Sequence, residues 1–87
     1  MRIDKYLKVA RILKRRTVAK ELAALDRLFL NGRTAKASSE VKIGDTVTIA
    51  FGHREITIRV LGIREQASKQ DALSLYEVVE EKSTDEV

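Results

Sequence analysis

A cluster of positive charge in the segment RILKRRTVAKEL, residues 11–22, is the feature of this chain with the most definite chemistry. A single acid, Glu21, accompanies five basic residues there: Arg11, Lys14, Arg15, Arg16 and Lys20. Lys and Arg both bind phosphate oxygens, and Arg also forms two parallel hydrogen bonds to one phosphate group. The cluster therefore indicates a surface that binds a polyanion.

The charge of the whole chain is divided unevenly along its 87 residues. Residues 1–36 contain eleven Lys or Arg against three acids, a balance of +8, whereas residues 37–87 contain six against ten, a balance of −4. Such a split favours a dedicated binding face for a polyanion. An ordinary solvated basic surface is the alternative that composition leaves open.

Catalytic chemistry has little support in the sequence. The chain has no Cys, and its one histidine, His53, falls in the turn predicted at FGHRE. No carboxylate pair, glycine-rich phosphate loop or metal-ligand spacing is present. We therefore expect a protein that is not an enzyme and uses no cofactor or metal. No apolar run reaches the length of a signal peptide or membrane span, so we expect a cytoplasmic protein that does not contact membranes.

Two short helices are predicted to position the basic cluster. A first apolar stripe has helical spacing: Ile3, Tyr6, Leu7 and Ala10. Continuing that helix unbroken would bury the charges of Lys14 and Glu21, which is costly. A second stripe lies out of phase with the first: Val18, Ala19, Leu22 and Leu25. The chain is therefore expected to turn at a basic corner, with Thr17 as the N-cap of the second helix.

The remainder of the chain is predicted to form strands. Asn31-Gly32 and Gly44-Asp45 are turn signals, and apolar residues alternate from Val47 to Phe51 and again in ITIRV. The segment EQASKQDAL has modest helix propensity, and SLYEVVEE suits a closing strand. The prediction is an α+β domain at residues 1–81, with two helices on a small, mostly antiparallel curved sheet. Its core spans about residues 1–63, an extension follows at 64–81, and residues 82–87 are expected to be a disordered tail.

The few aromatic residues argue against a surface that stacks bases. Tyr6 and Phe51 fall on apolar stripes and are predicted to lie in the core, and Phe29 is expected to be half-buried. Recognition of a folded RNA through its shape and backbone is therefore favoured. A helix-turn-helix DNA-binding protein is the rival interpretation. Against it, the exposed face of the second helix offers mainly Lys20, Glu21 and Ala24, which are poor readers of base edges.

The order of these features resembles the S4 RNA-binding domain. The resemblance lies in RIDKYL, KRRTVAKEL, LFLNG and KASSEVKIGD and covers residues 1–51. The matching residues are Arg2, Ile3, Asp4, Leu7, Arg16, Thr17, Ala19, Leu22, Asn31, Gly32, Gly44 and Asp45. The resemblance to the S4 domain implies the alpha-L RNA-binding fold. Asp26 departs from the pattern, because the family usually has Gly after the second helix, where a left-handed backbone is common.

A stand-alone domain that begins MRIDKYLKVARILKRRTVAKE is similar to the RqcP family of bacterial ribosome quality-control factors, to which the fifteen-kilodalton heat-shock protein is related. The resemblance implies a non-catalytic clamp on large ribosomal subunits that carry peptidyl-tRNA. Its implied partners are large-subunit rRNA, the peptidyl-site tRNA and the elongation factor that directs C-terminal alanine tailing. We expect a monomer. A heat-shock-type subunit recycling factor is the alternative within the same class.

The resemblance places Arg16 among the residues that face RNA, and Arg2 is expected to join it from the start of the first helix. The predicted patch is completed by Lys8, Arg11, Lys14, Arg15 and Lys20, with Lys36 and Ser38 at its periphery. The alternative for Arg2 and Arg16 is a surface ion pair with Asp4. Asp4 itself is expected to favour the helix N-terminus or to orient an arginine rather than to meet phosphate.

Overall fold

Three helices and one five-stranded sheet make up the fold, in a computed structural model that describes residues 1–83. The helices are α1 (Ile3–Val9), α2 (Arg16–Ala24) and α3 (Lys69–Ala72). The strands are β1 (Leu28–Leu30), β2 (Arg33–Thr34), β3 (Thr46–Phe51), β4 (Arg54–Val60) and β5 (Tyr76–Ser83). Every strand pair is antiparallel, in the order β2-β1-β3-β4-β5. The predicted α+β class is confirmed.

The core lies between the two N-terminal helices and one face of the sheet. All four residues of the first predicted stripe, at positions 3, 6, 7 and 10, are buried, and they pack with inward-facing residues of the strands such as Val47, Ile49 and Ile58. Burying one such aliphatic side chain contributes about 1.5–3 kcal/mol. In the second stripe Ala19 and Leu22 are buried, but Leu25 is largely exposed because it follows the last residue of α2.

The start of α2 differs from the prediction. Helix α2 begins at Arg16, with Arg15 at the N-cap position, and no side chain caps the helix. Thr17 lies inside α2, so the prediction that Thr17 is the N-cap is wrong. The cause lies in the preceding corner, where Leu13 is buried in the core. Once Leu13 is anchored and Arg16 is ion-paired to α1, the chain enters the helix two residues earlier than a threonine cap would allow.

Helix α1 ends in a left-handed residue that is not glycine. Arg11 has φ +60°, its N–H bonds to the carbonyl of Lys8 at 3.0 Å, and the N–H of Ile12 bonds to the carbonyl of Leu7 at 3.0 Å. This is the Schellman motif, which normally has glycine at the left-handed position. An L-residue there costs roughly 1–2 kcal/mol, so the corner carries local strain.

Helix α2 ends in the same way at Asp26. Its φ is +57°, its N–H bonds to the carbonyl of Ala23 at 3.1 Å, and the N–H of Arg27 bonds to Leu22 at 2.8 Å. The prediction that Asp26 occupies the left-handed backbone position after the second helix is therefore confirmed. Asp adopts this conformation at lower cost than most residues other than Gly and Asn.

The predicted turns are present, and two of them are joined. Asn31 and Gly32 both have positive φ, as a tight hairpin requires. The Asn31 side chain donates to Oδ1 of Asp45 at 3.2 Å and accepts the Thr46 N–H at 2.9 Å, which links the β1–β2 turn to the start of β3. Phe51 was wrongly predicted as core. It sits beside the Gly52 turn at the tip of the β3–β4 hairpin and is exposed.

The C-terminal extension folds back against the helices. Its short helix α3 is capped by Ser68, whose Oγ accepts the Asp71 N–H at 3.1 Å. Strand β5 then pairs with β4 and continues through Lys82 and Ser83, the first two residues of the predicted tail. The rest of that tail lies outside the described residues. No helix in residues 1–83 is long and apolar enough to cross a membrane.

Candidate nucleic-acid interface

A buried carboxylate at the start of α1 holds two arginines. Asp4 has no exposed surface and accepts hydrogen bonds from both guanidinium groups. Arg2 donates through Nε and Nη2 at 3.2 and 3.1 Å, one bond to each carboxylate oxygen, and Arg16 donates through Nη2 at 3.0 Å. Arg2 precedes α1 and Arg16 opens α2, so Asp4 fixes the two helix starts next to each other. Arg2 and Arg16 are called the arginine pair below.

The two guanidinium groups keep Asp4 ionised. Burial by itself raises the pKa of Asp4, but the hydrogen bond and charge of Arg16, followed by those of Arg2, outweigh it. The pKa of this carboxyl therefore lies below its ordinary value of 3.8. A buried charge is tolerated here because both partners satisfy its oxygens directly. The cluster retains a net charge of +1 from two cations and one anion.

The arginine pair remains open to a ligand. The side chains of Arg2 and Arg16 are 46% and 42% exposed, although both bind a fully buried partner. Each guanidinium has five N–H donors. Arg2 uses two of its donors on Asp4 and Arg16 uses one, which leaves further donors on both guanidinium groups for a ligand. The ion pair with Asp4, which was the alternative to RNA contact for Arg2 and Arg16, is therefore present. It leaves both arginines able to contact phosphate as well.

The loop that carries Lys36 and Ser38 is bonded directly to the start of α1. The N–H groups of Ile3 and Asp4, which the helix itself cannot satisfy, donate to the carbonyls of Ser39 at 2.7 Å and Ala37 at 3.2 Å. Lys36 and Ser38 are both exposed. Lys36 and Ser38, which were predicted to lie at the periphery of the basic patch, therefore lie beside the arginine pair.

The other predicted basic residues lie at the end of α1, in the corner and on α2. Lys8, Lys14, Arg15 and Lys20 are exposed and form no ion pair within residues 1–83. Arg11 differs, because its Nη2 donates to the carbonyl of Ala67 in the C-terminal extension at 3.3 Å. The basic surface thus extends from the arginine pair at the start of α1 to a second group at the end of α1 and in the corner, with Lys20 on α2.

The burial of Asp4 is what sequence reasoning missed. Asp4 was expected to orient an arginine, but it was not expected to lose all contact with solvent while holding two. A signal was available in the helical spacing, because Asp4 flanks the buried stripe next to Leu7. In residues 1–83 no group of three or more His, Asp or Glu side chains is arranged to hold a metal ion.

Comparison with known proteins assigns the chain to a family. Residues 1–47 match the S4 domain. The chain belongs to the S4 domain family. Over 86 residues it is 46% identical to a protein of Streptococcus pneumoniae named RQC P-site tRNA stabilizing factor, with 99% of this chain and 98% of that protein covered. It is 48% identical, again over 86 residues, to the protein of the same name in Listeria monocytogenes, with 99% and 94% covered.

A solved structure supports the assignment. The trimeric structure of Vibrio cholerae Heat Shock Protein 15 superposes with a TM-score of 0.82 at 35% identity, with 91% of this chain and 81% of that chain covered. In the S4 domain matched here, residues 1–47 include α1, α2, β1, β2 and the first residues of β3. The arginine pair and the loop with Lys36 and Ser38 therefore lie inside the S4 domain, and the C-terminal extension lies beyond it.

Proposed function

We propose that the chain is a non-catalytic RNA-binding factor of bacterial ribosome-associated quality control. It binds obstructed large ribosomal subunits that carry peptidyl-tRNA, contacts rRNA and tRNA, and stabilises the tRNA in the peptidyl site. That stabilisation operates while an elongation factor directs C-terminal alanine tailing of the stalled chain. We further propose that the factor acts in the cytoplasm as a monomer, without cofactor or membrane.

The observation that carries this proposal is the arginine pair held on a buried carboxylate. A fixed guanidinium loses little conformational freedom when it binds phosphate, because the ion pair has already ordered it. The spacing between the two cations is also set in advance by Asp4, which suits a rigid phosphate backbone better than a flexible ligand. The family assignment adds support, since relatives of nearly the same length are named for stabilising tRNA in the peptidyl site.

Co-sedimentation with ribosomal particles tests the proposal. The chain should pellet with large subunits carrying peptidyl-tRNA in preference to empty subunits or joined ribosomes. Arg2→Ala and Arg16→Ala should each lower that binding, whereas Arg59→Ala, an exposed arginine on β4, should not. Equal pelleting with all particles would contradict the proposal. Tighter binding to duplex DNA of defined sequence would instead support the helix-turn-helix interpretation.

Subunit recycling of the heat-shock type is the second candidate, favoured by the similarity to Heat Shock Protein 15. The two functions differ in what happens to the nascent chain. In a reconstituted tailing reaction, a stabilising factor increases the number of alanines added to each stalled peptide. A recycling factor leaves that number unchanged and lowers the fraction of subunits that remain obstructed. Measuring both quantities in one reaction separates the candidates.

A further inference from the structure

A cleft of about 800 Å³ separates the end of α1 from the C-terminal extension. Residues from the end of α1 and the following corner, among them Lys8, Arg11 and Lys14, line one side of it. The other side consists of extension residues that include Lys69 and Leu73. This space is called the corner cleft below. Its α1 side lies inside the S4 domain match and its other side lies in the extension beyond that match.

Three contacts hold the two sides of the corner cleft together. The hydroxyl of Tyr6 donates to the carbonyl of Leu75 at 2.6 Å inside the core, and burial, with a smaller effect of Tyr76, raises the pKa of that hydroxyl. Lys5 is ion-paired with Glu65, and Arg11 bonds to the carbonyl of Ala67. The cleft is therefore preformed, as binding sites for small ligands usually are.

The lining combines uncompensated positive charge with apolar surface. Lys8, Lys14 and Lys69 are exposed and have no ion pair in the part of the chain that the structure describes. Glu65 is the one acid among the described lining residues, and Lys5 already neutralises it. The apolar part of the lining includes Leu13, Leu73, Ala72 and Tyr76.

We propose that the corner cleft receives a single unpaired nucleotide of the bound RNA. Its base packs against the apolar wall at Leu73 and Tyr76, and its phosphates contact Lys14 and Lys69. The cleft volume is within the range of sites that enclose one small organic ligand. The left-handed backbone of Arg11 at the rim agrees with this role, because strained residues cluster at ligand-binding positions. This inference rests on the proposed function and adds a preference for RNA with a base outside the helical stack.

An acidic segment of a protein is the competing occupant, and the charge pattern favours the nucleotide. A nucleotide combines one planar base with charged phosphates, which matches a lining that combines apolar side chains with lysines that have no ion pair. Packing of a base on protein side chains tolerates any base, because every base has a flat apolar face. The cleft would therefore recognise that a nucleotide is unpaired and not which base it carries.

Two hairpin RNAs test the proposal with the full chain. One has a single bulged 2-aminopurine, and the other has the same stem with that base paired. The bulged RNA should bind about tenfold more tightly and its fluorescence should change on binding, since packing of one base contributes roughly 5- to 150-fold to affinity. Leu73→Ser should remove this preference. Leu25→Ser is the matched control, because the two leucines are 68% and 66% exposed and Leu25 does not line the cleft.

The outcomes distinguish a failure of the cleft assignment from a failure of the proposed function. Equal, salt-sensitive binding of both hairpins would keep the RNA-binding function and overturn the cleft assignment. Binding of neither hairpin, with no co-sedimentation with ribosomal subunits, would overturn both. A Leu73→Ser chain that keeps the preference for the bulge but no longer pellets with subunits would assign the cleft to a protein partner. Thermal melts of both variants verify that each is folded.

Discussion

Removal of Arg16 should affect stability and binding by separable amounts, and a double-mutant cycle with Asp4 measures both. The Arg16 side chain donates one charge-assisted hydrogen bond of 3.0 Å to a carboxylate with no exposed surface. Bonds of this kind contribute about 1.5–3 kcal/mol. Because the Arg16 side chain is 42% exposed, solvent screens the interaction, and about 1–2 kcal/mol is the expected loss for Arg16→Ala.

The expected loss depends on the charge of Asp4. In the Asp4→Asn background the carboxylate is gone, so Arg16→Ala should change the free energy of unfolding by about 0.5 kcal/mol or less, as for an ordinary surface residue. The coupling energy between the two positions is then about 1 kcal/mol. In a domain of this size, each kcal/mol shifts the melting temperature by about 4–8 °C. Urea and thermal melts of the wild-type chain, both single variants and the double variant give the four values.

Binding to large subunits provides the second readout. Loss of an arginine–phosphate contact should lower affinity by about 5- to 100-fold for Arg16→Ala. This loss exceeds the decrease in binding that destabilisation alone would cause, as long as most of the protein molecules remain folded. Arg59→Ala serves as the control in both assays. Equal melting temperatures for the wild-type chain and Arg16→Ala would refute the ion-pair reasoning. Unchanged binding by folded Arg16→Ala would refute the interface.

Three further outcomes follow from the same geometry. The pKa of Asp4 in the folded state lies below its ordinary value. The ionised carboxylate therefore contributes to stability above about pH 4, and that contribution is lost as the pH falls through the lowered pKa. The stability difference between wild type and Asp4→Asn, measured in urea at several pH values, should shrink only in acid. If about four to six phosphates are neutralised, RNA affinity should fall by about two to three orders of magnitude between 50 and 200 mM salt, and a flat titration would contradict a polyanion interface. Asp26→Gly should raise stability by about 0.5–1 kcal/mol by removing a left-handed L-residue, whereas Lys20→Gly, inside α2, should lower it by about 1 kcal/mol in the same melts.

Local patterns predicted the elements of this fold well. The stripe from Ile3 to Ala10 is the buried face of α1, and Asn31-Gly32 forms the tight turn that its sequence favours. These features are determined by neighbouring residues, since helical periodicity and positive φ are properties of short segments. The left-handed position of Asp26 belongs to the same class, because it is set by the end of one helix.

Features that depend on distant contacts were predicted less well. Thr17 has the right residue type for a cap, but the pairing of Arg16 with Asp4 and the burial of Leu13 determine where α2 begins. Phe51 alternates correctly with Val47 and Ile49, yet the hairpin at that point extends to an exposed tip. The arginine pair could be chosen from the motif, whereas its shared buried carboxylate required the two helices to be placed together. The corner cleft had no sequence signal, because its two sides come from segments about fifty residues apart.

The bonds from Ile3 and Asp4 to the loop at residues 37–39 join the start of α1 to a distant part of the chain. Amides near a chain terminus usually exchange rapidly with solvent deuterium because the first residues fray. Here those amides donate to carbonyls about thirty-five residues away, so we expect them to exchange more slowly than frayed terminal amides do. Arg2, for which we propose a phosphate contact, directly precedes these bonded residues and is expected to be held in place with them. We therefore expect any opening of this loop to loosen Arg2 and to weaken the phosphate contact proposed for it.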